Sequence, residues 1–294
     1  MTILTRPDAL AQDTAIRVVE LRVRDLAAMI AYYSTGVGLD LISHEGPTAV
    51  LGRGTVPIMA LRQEKDLPEF SRRDAGLYHT AILFDDKAGL AASLNNIARF
   101  APRSFTGSAD HLVSEAFYFD DPEGNGVELY VDRPREQWTR TAGGGVQMAS
   151  LPLDPNAFVQ ENLTAEGLAT PSLAGANIGH VHLQVGDIPT ARQFYVDTLG
   201  FDVMAEYGSQ ALFVSAGGYH HHIGMNTWHS AGAGPRAASL GLGQVSIEVP
   251  TSDDVDALAA RMRARGVELR PDGATLRFDD PWKTVIEVRP ALVG

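Results

Sequence analysis

The 294-residue chain contains 45% hydrophobic and 20% charged residues, which is sufficient for one large globular domain or two ordinary ones. Its net charge of −12 disfavours anionic partners, so we expect neither nucleic acid nor a membrane surface as a partner. The absence of cysteine excludes disulfides, thiolate nucleophiles and cysteine-bound metals. No signal peptide and no membrane-length apolar run are predicted, so we expect a cytoplasmic protein.

Alternating apolar residues predict strands, and capped amphipathic stretches predict helices, in an order that repeats along the chain. The first half contains predicted strands at 18–23, 41–44, 48–51, 57–61, 79–84, 116–119 and 127–131, and predicted helices at 25–33 and 90–100. The second half contains predicted strands at 180–185, 212–215, 222–226, 244–249, 275–278 and 285–288, and one more strand that ends near 203. Its predicted helices are at 190–198 and 253–265.

The two halves match each other as an internal duplication. Residues 16–41 align with residues 178–203 at an offset of 162, which pairs Tyr33 with Tyr195. The segments FDDPEGNGVELYVDRP and FDDPWKTVIEVRP end the two halves, and each has a proline six residues before a glutamate. Each half divides again, which gives four βαβββ modules.

These repeats predict an α+β fold in which four βαβββ modules form two half-barrel-like cavities. We predict a first domain at 14–134, with modules one and two, and a second domain at 178–291, with modules three and four. The stretch between them, 135–177, is rich in glycine, proline and alanine, and we interpret it as a linker.

The module pattern, with HVHLQVGDIPTARQFYVDTLGF at 180–201, resembles the vicinal oxygen chelate superfamily, which has the glyoxalase, bleomycin-resistance and extradiol dioxygenase fold. The segment ADHLVSEAFYFDDPEGNGVE at 109–128 is similar to the extradiol signature, from His111 through Tyr118 to Glu128, and departs from it at Ala109. The chain is most similar to the two-domain catechol-2,3-dioxygenases of bacilli, which also carry a GGYHHHIG-like stretch.

The resemblance implies an extradiol dioxygenase that inserts O2 into a catechol-type aromatic diol, as in aromatic catabolism. Its non-heme Fe(II), or Mn(II), would be held by two imidazoles and one carboxylate. One alternative is a glyoxalase-like lyase or isomerase with zinc, nickel or cobalt, and another is a metal-free protein that sequesters a small molecule. The partner would be a small aromatic diol, and the sequence permits a homo-oligomer without defining it.

Members of the superfamily take their imidazoles from the first strands of two modules. The matching positions in modules two and three are His79 and His180, whereas modules one and four offer Val18 and Gln244. Valine cannot bind a metal, and glutamine is a weak ligand for Fe(II). Modules two and three are therefore the ligand-competent pair.

The carboxylate would come from the last strand of module two, at Glu128. The predicted metal ligands are thus His79, His180 and Glu128, provided that modules two and three share a cavity. Pairing the modules in sequence order would divide this set, with His79 and Glu128 on one side and His180, His222, Gln244 and Glu287 on the other.

The triplet His220, His221 and His222 would lie on or just before the last strand of module three. Because strand side chains alternate, we expect His220 and His222 to face the cavity and His221 to point away. We assign the acid–base role of the family to His222, with a fourth metal ligand as its competing role. We expect His220 and His182 to contact substrate.

His111 and Tyr118 match residues that, in the family, hydrogen-bond the substrate oxygens. The resemblance therefore gives these two residues a catalytic role beside His222.

Overall fold

A computed structural model of the chain describes residues 8–170 and 174–291, within which sixteen strands and six α-helices are formed. The strands are β1 (Ala15–Val23), β2 (Asp40–Glu45), β3 (Thr48–Arg53), β4 (Val56–Gln63), β5 (Gly76–Phe84), β6 (Phe105–Asp110), β7 (Ser114–Asp120), β8 (Gly126–Asp132), β9 (Ala176–Gln184), β10 (Asp202–Tyr207), β11 (Ala211–Ser215), β12 (Ile223–Asn226), β13 (Gly241–Val249), β14 (Arg270–Asp272), β15 (Thr275–Asp279) and β16 (Val285–Pro290). The helices are α1 (Leu26–Ala31), α2 (Lys87–Phe100), α3 (Pro155–Asn162), α4 (Ala165–Ala169), α5 (Ile188–Arg192) and α6 (Ser252–Ala264).

The same local structure follows the first strand of each half. Asp25 caps α1 and Asp187 caps α5, and each accepts a hydrogen bond from a backbone N–H of the first helical turn, at 3.0 and 2.8 Å. Both helices then widen into a π-helical turn, at Tyr32–Gly36 and Gln193–Thr198. The helices predicted at 25–33 and 190–198 therefore exist, but their α-helical parts end earlier than predicted.

The strands form two eight-stranded curled sheets, which confirms the predicted α+β fold class. One sheet has the order β10-β11-β12-β9-β5-β8-β7-β6 and combines modules three and two; we refer to it as the central-module sheet. The other has the order β14-β15-β16-β13-β1-β4-β3-β2 and combines modules four and one; we refer to it as the terminal-module sheet.

Modules two and three are joined by the antiparallel pairing of β5 with β9, and modules one and four by the pairing of β1 with β13. This is the module pairing that the ligand positions favoured. Each half of the chain thus gives one module to each sheet. The domain boundaries 14–134 and 178–291 remain a prediction from the sequence repeats.

An apolar core that is continuous between the sheets leaves one face of β9 for the site. Val181 and Leu183 of β9 are buried in this core. Because side chains alternate along a strand, His180 and His182, which alternate with Val181 and Leu183, lie on the opposite, concave face. The strand predicted at 180–185 therefore supplies both core and site.

The sequence patterns missed four short elements. Edge strands β6 and β14 have too few apolar residues to give a clear alternation. The stretch predicted as a linker also contains the two short helices α3 and α4, and α3 contributes Phe158, whose ring lies 4.9 Å from that of Phe117. Within the described residues, no helix is long and apolar enough to cross a membrane.

Candidate metal centre

Three buried side chains of the central-module sheet bring their ligand atoms together. The atoms belong to His79 on β5, Glu128 on β8 and His180 on β9, and they lie within 4.8 Å of one another. Glu128 Oε2 is 2.9 Å from His79 Nε2 and 3.2 Å from His180 Nε2. Because β5 lies between β8 and β9, strand order alone makes the three predicted ligands neighbours.

The hydrogen bonding of this triad is incomplete in a way that fits a metal ion. His79 Nε2 is buried and, despite its short distance to Glu128, lacks the alignment of a hydrogen bond. A buried nitrogen without a hydrogen-bond partner destabilises the folded protein unless another group binds it. Two imidazole nitrogens and one carboxylate oxygen on one side of a point are the donor set of the non-heme Fe(II) facial triad.

The electrostatics of the triad also fit a bound cation. Burial would raise the pKa of Glu128, although positive charge on His180 and His79 would hold that pKa well below its usual range. Burial, however, lowers the pKa of His180 to about 4, so that this histidine is neutral at pH 7. Beside a neutral His180 the buried carboxylate loses one source of positive charge, which a divalent cation would supply.

A cavity of about 660 Å³ opens from the triad towards the surface. His111, Tyr118 and His182, three of the predicted catalytic and substrate residues, line it. Its wall also includes Arg72, Tyr78, Met148, Tyr207, Phe213, His221 and Trp228.

His111 and Tyr118 form a fixed pair beside the triad. The Nδ1–H of His111 donates to the carbonyl of Ala149 at 2.7 Å, which leaves Nε2 as the acceptor in the neutral ring. The Tyr118 hydroxyl then donates to His111 Nε2 at 2.6 Å. Burial and then the charge of Glu128 raise the pKa of Tyr118 well above its usual value, so the phenol keeps its proton.

The predicted orientation of the histidine triplet is wrong. Only His221 of the three lines the cavity, whereas His220 and His222 point elsewhere. The reason is that β12 begins at Ile223, so that the triplet lies in the connection before the strand, where side chains do not alternate. His222 Nδ1 instead accepts a hydrogen bond from the backbone N–H of Ala216 at 3.2 Å.

This placement removes the basis for the two roles expected of His222. It is buried and does not line the cavity. Burial lowers its pKa to about 3 and likewise lowers that of His221 well below its usual value, so only the position distinguishes the two. His222 is also absent from the group of candidate ligand atoms found among the described residues. His220, expected to contact substrate, is fully buried behind His221.

His220 instead connects His221 to a carboxylate. Its Nε2 is 2.9 Å from Asp132 Oδ1, and because a carboxylate only accepts, Nε2 carries the proton. In neutral rings, His220 Nδ1 therefore accepts a hydrogen bond from His221 Nδ1–H, at 2.7 Å. The remaining nitrogen of His221, Nε2, is left as an acceptor in a ring that lines the cavity, 4.0 Å from the ring of His180.

A second chain of hydrogen bonds runs from His180 towards the same carboxylate. His180 Nδ1 is 3.3 Å from the Tyr130 hydroxyl, which is 2.7 Å from the Tyr219 hydroxyl. Burial, with the charge and hydrogen bonding of Asp132, raises the pKa of Tyr219 well above its usual value. We refer to Asp132 with these two chains as the Asp132 network. Its histidines were named from the sequence, but Asp132, Tyr130 and Tyr219 were not.

The matching position of the terminal-module sheet holds an ion pair. Glu287 lies 2.8 Å from Arg277 Nε, and the Ser246 hydroxyl donates to its other oxygen at 3.3 Å. Gln244 Nε2 donates to Ser246 at 3.2 Å. The carboxylate of Glu287 is thus neutralised by arginine.

The fold and the site together define a family. The chain belongs to the Glyoxalase/Bleomycin resistance protein/Dioxygenase superfamily, whose family model matches residues 15–129 and 177–288. The superfamily predicted from the sequence motifs is therefore confirmed. A catechol-2,3-dioxygenase of Bacillus subtilis (strain 168) is 35% identical over 277 residues, which cover 92% of this chain and 95% of that protein.

Solved structures of low sequence identity share the fold. A provisionally assigned dioxygenase from Bacillus subtilis subsp. subtilis str. 168 has a TM-score of 0.65 at 13% identity, over 97% of this chain and 87% of that one. Glyoxalase I from Zea mays has a TM-score of 0.57 at 17% identity, over 94% of this chain and 92% of that one. At these identities the similarity concerns the fold alone.

Proposed function

We propose that this chain is an extradiol dioxygenase that cleaves a catechol-type aromatic diol with O2 at a non-heme Fe(II), or Mn(II), centre. The observation that carries the proposal is the group formed by His79, Glu128 and His180, which leaves one side open to a cavity. The 35% identity to a catechol-2,3-dioxygenase over nearly the whole chain supports the same activity.

His79, His180 and Glu128 would hold the metal. When bound, the ion supplies a Lewis acid for the diol oxygens and the redox chemistry that dioxygen requires. The neutral state of His180 suits it to coordination, because a protonated imidazole cannot bind a metal.

His221 is the residue of the triplet that can serve as a general base. Its Nδ1–H is committed to His220, so Nε2 presents a lone pair in the cavity. In that position Nε2 takes a proton from one hydroxyl of a diol beside the triad and returns a proton later in turnover. His220 and Asp132 act as positioning residues, because they fix the tautomer of His221.

The remaining cavity residues orient the diol. Because the Tyr118 O–H is donated to His111, the phenol oxygen is an acceptor for the second hydroxyl of the diol. His182, whose ring is 4.9 Å from that of His79, contacts the aromatic ring of the substrate.

The deciding experiment measures the metal content of anaerobically purified protein and its O2 uptake on catechol. We expect one Fe(II) or Mn(II) per chain and uptake that depends on it. A redox-inert zinc at full occupancy in an active enzyme, with no O2 uptake on any diol, would instead favour a glyoxalase-like lyase.

Two variants locate the metal. His79→Ala and His180→Ala should each remove the metal, because each deletes one of three ligands. Gln244→Ala, at the matching strand position of the terminal-module sheet, is the control and should keep it. Metal binding that survives both histidine substitutions would refute the assigned site.

A further inference from the structure

The outer part of the cavity is lined by aromatic side chains. The rings of Tyr78, Phe213 and Trp228 surround His182, with centroids 5.1, 5.5 and 5.6 Å from its imidazole. Tyr78 and Trp228 also contact each other edge to face at 5.3 Å. We refer to these four residues as the aromatic box; because His182 also contacts His79, the box begins directly beside the triad.

Hydrogen bonds fix the orientation of the box. The backbone N–H of Trp228 donates to Asn226 Oδ1 at 3.2 Å, so the amide nitrogen of Asn226 must donate to His182 Nε2, at 3.0 Å. His182 is therefore a neutral ring with its proton on Nδ1. A Cβ at Gly224 would lie 3.0 Å from this ring, so glycine there allows the close approach of the backbone.

Trp228 leaves apolar surface uncovered at the mouth of the cavity. Its side chain is 49% exposed, although it lies in contact with His182 and Tyr78. A flat apolar group placed against the indole would remove this surface from water and gain ring–ring contact. The exposed indole therefore points to an aromatic ligand group.

The charges around the cavity disfavour an anionic group. Among the described residues, Arg72 is the one lysine or arginine that lines it, and its guanidinium already donates to Asp120 at 2.7 Å. Asp120 itself lines the cavity, and the chain as a whole carries a net charge of −12. A carboxylate on the substrate would meet this negative field without a cation of its own.

We propose that the aromatic box is a subsite for an uncharged aryl substituent, so that the substrate is a diol ring carrying a second aromatic ring. The proposal rests on the dioxygenase function above and names its substrate class. The diol ring lies at the triad, and the second ring lies against the exposed indole of Trp228. A cavity of about 660 Å³ accommodates both rings, whereas catechol alone leaves the indole uncovered.

The test separates binding from turnover. Anaerobic calorimetric titration of the metal-loaded protein gives dissociation constants for catechol, 3-phenylcatechol and 3,4-dihydroxyphenylacetate, and O2 uptake is measured afterwards. We expect 3-phenylcatechol to bind roughly tenfold more tightly than catechol, because ring contacts and buried apolar area add to the same chelation. The carboxylate-bearing diol should bind more weakly than catechol.

Variants of Trp228 test the box directly. Trp228→Ala should weaken 3-phenylcatechol about tenfold more than it weakens catechol, and Trp228→Phe should restore most of the difference. The matched control is Phe100→Ala, since Phe100 is a similarly exposed aromatic residue, 44%, on α2 outside the cavity. It should leave all three dissociation constants unchanged.

The outcomes distinguish the subsite from the dioxygenase function. Equal binding of catechol and 3-phenylcatechol, tighter binding of the carboxylate-bearing diol, or equal losses for both diols in Trp228→Ala would overturn the subsite. If O2 uptake on catechol persists in that case, the dioxygenase function stands. If the expected selectivity appears without O2 uptake on any diol, the subsite stands and the dioxygenase function fails.

Discussion

Asp132→Asn tests whether a single carboxylate sets the tautomer of His221. The substitution keeps the shape of the side chain but removes its charge, and its amide can turn either end towards His220 Nε2. When the NH2 end faces Nε2, that nitrogen must become the acceptor, and the proton moves to His220 Nδ1. His221 Nδ1 then accepts, and its proton moves to Nε2, which can no longer act as a base.

The expected size of the effect follows from the hydrogen bond. A hydrogen bond to a charged group contributes about 1.5–3 kcal/mol, and about 1.4 kcal/mol corresponds to a factor of ten. Because 23% of the Asp132 side chain is exposed, water screens part of this interaction, and we expect the lower end. The variant should therefore have a roughly tenfold lower kcat, with KM unchanged because Asp132 does not line the cavity.

The metal affinity distinguishes positioning from simple damage to the site. Substitution of a residue that is hydrogen-bonded directly to a metal ligand typically lowers metal affinity by about 10–100-fold. Two phenols separate Asp132 from His180, so we expect a loss of less than about tenfold. Competition with a chelator measures this affinity, and ¹⁵N shifts of the His221 ring in metal-free protein report the tautomer directly.

The matched control is Asp279→Asn. Asp279 is an ion-paired carboxylate of similar side-chain exposure, 22%, in the terminal-module sheet, and its replacement should leave kcat and the His221 shifts unchanged. The positioning role of Asp132 is refuted if Asp132→Asn turns over like wild type with altered shifts, or if activity falls only in proportion to lost metal.

Three further predictions test other parts of the structure. His221→Gln should lower kcat by about 10²–10⁴-fold with the metal retained, whereas His222→Gln should change kcat only a few-fold. A larger loss of O2 uptake in His222→Gln than in His221→Gln would restore the role first assigned to His222. Tyr33→Phe and Tyr195→Phe should each lower the free energy of unfolding by about 1.5–3 kcal/mol in urea denaturation, because each removes a hydrogen bond to a buried aspartate. An unchanged free energy of unfolding in either variant would contradict this. Glu287→Gln should leave metal content unchanged and cost less than about 1 kcal/mol of stability, and a loss of metal would place a functional site in the terminal-module sheet.

The triad could be predicted because the duplication limits the choice of residues. Four modules present four equivalent first-strand positions, and only His79 and His180 among them have side chains that bind a metal well. Their approach in space then requires that modules two and three pair, which the β5–β9 ladder provides. Here the residue types and the repeat carry enough information without knowledge of side-chain positions.

The histidine triplet shows where this reasoning fails. Side chains alternate between the two faces only within a strand, so the alternation cannot be extended into the connection before it. Placing the strand start at 222 made His220 and His222 the inward residues, but β12 begins at Ile223. The connection before it then follows its own geometry, and His221 faces the cavity.

The Asp132 network illustrates contacts that depend on tertiary structure. Asp132 and His220 are separated by 88 residues, and Tyr130 and Tyr219 by 89, so no local pattern links them. One signal was nevertheless present in the sequence. Tyr130 follows Glu128 by two residues on β8 and therefore shares its face, which would have marked it as a neighbour of the ligands.

The duplicated sheets differ at the position paired with the glutamate of the last strand. In the central-module sheet Tyr118 is paired with Glu128, and in the terminal-module sheet Arg277 is paired with Glu287. A buried carboxylate needs a positive partner, and Arg277 supplies one from the neighbouring strand. Tyr118 cannot do so, and its sheet instead sets two imidazoles beside Glu128. The exchange of arginine for tyrosine therefore leaves Glu128 without an arginine partner, which fits the proposed metal ion, whereas Glu287 is neutralised by the protein itself.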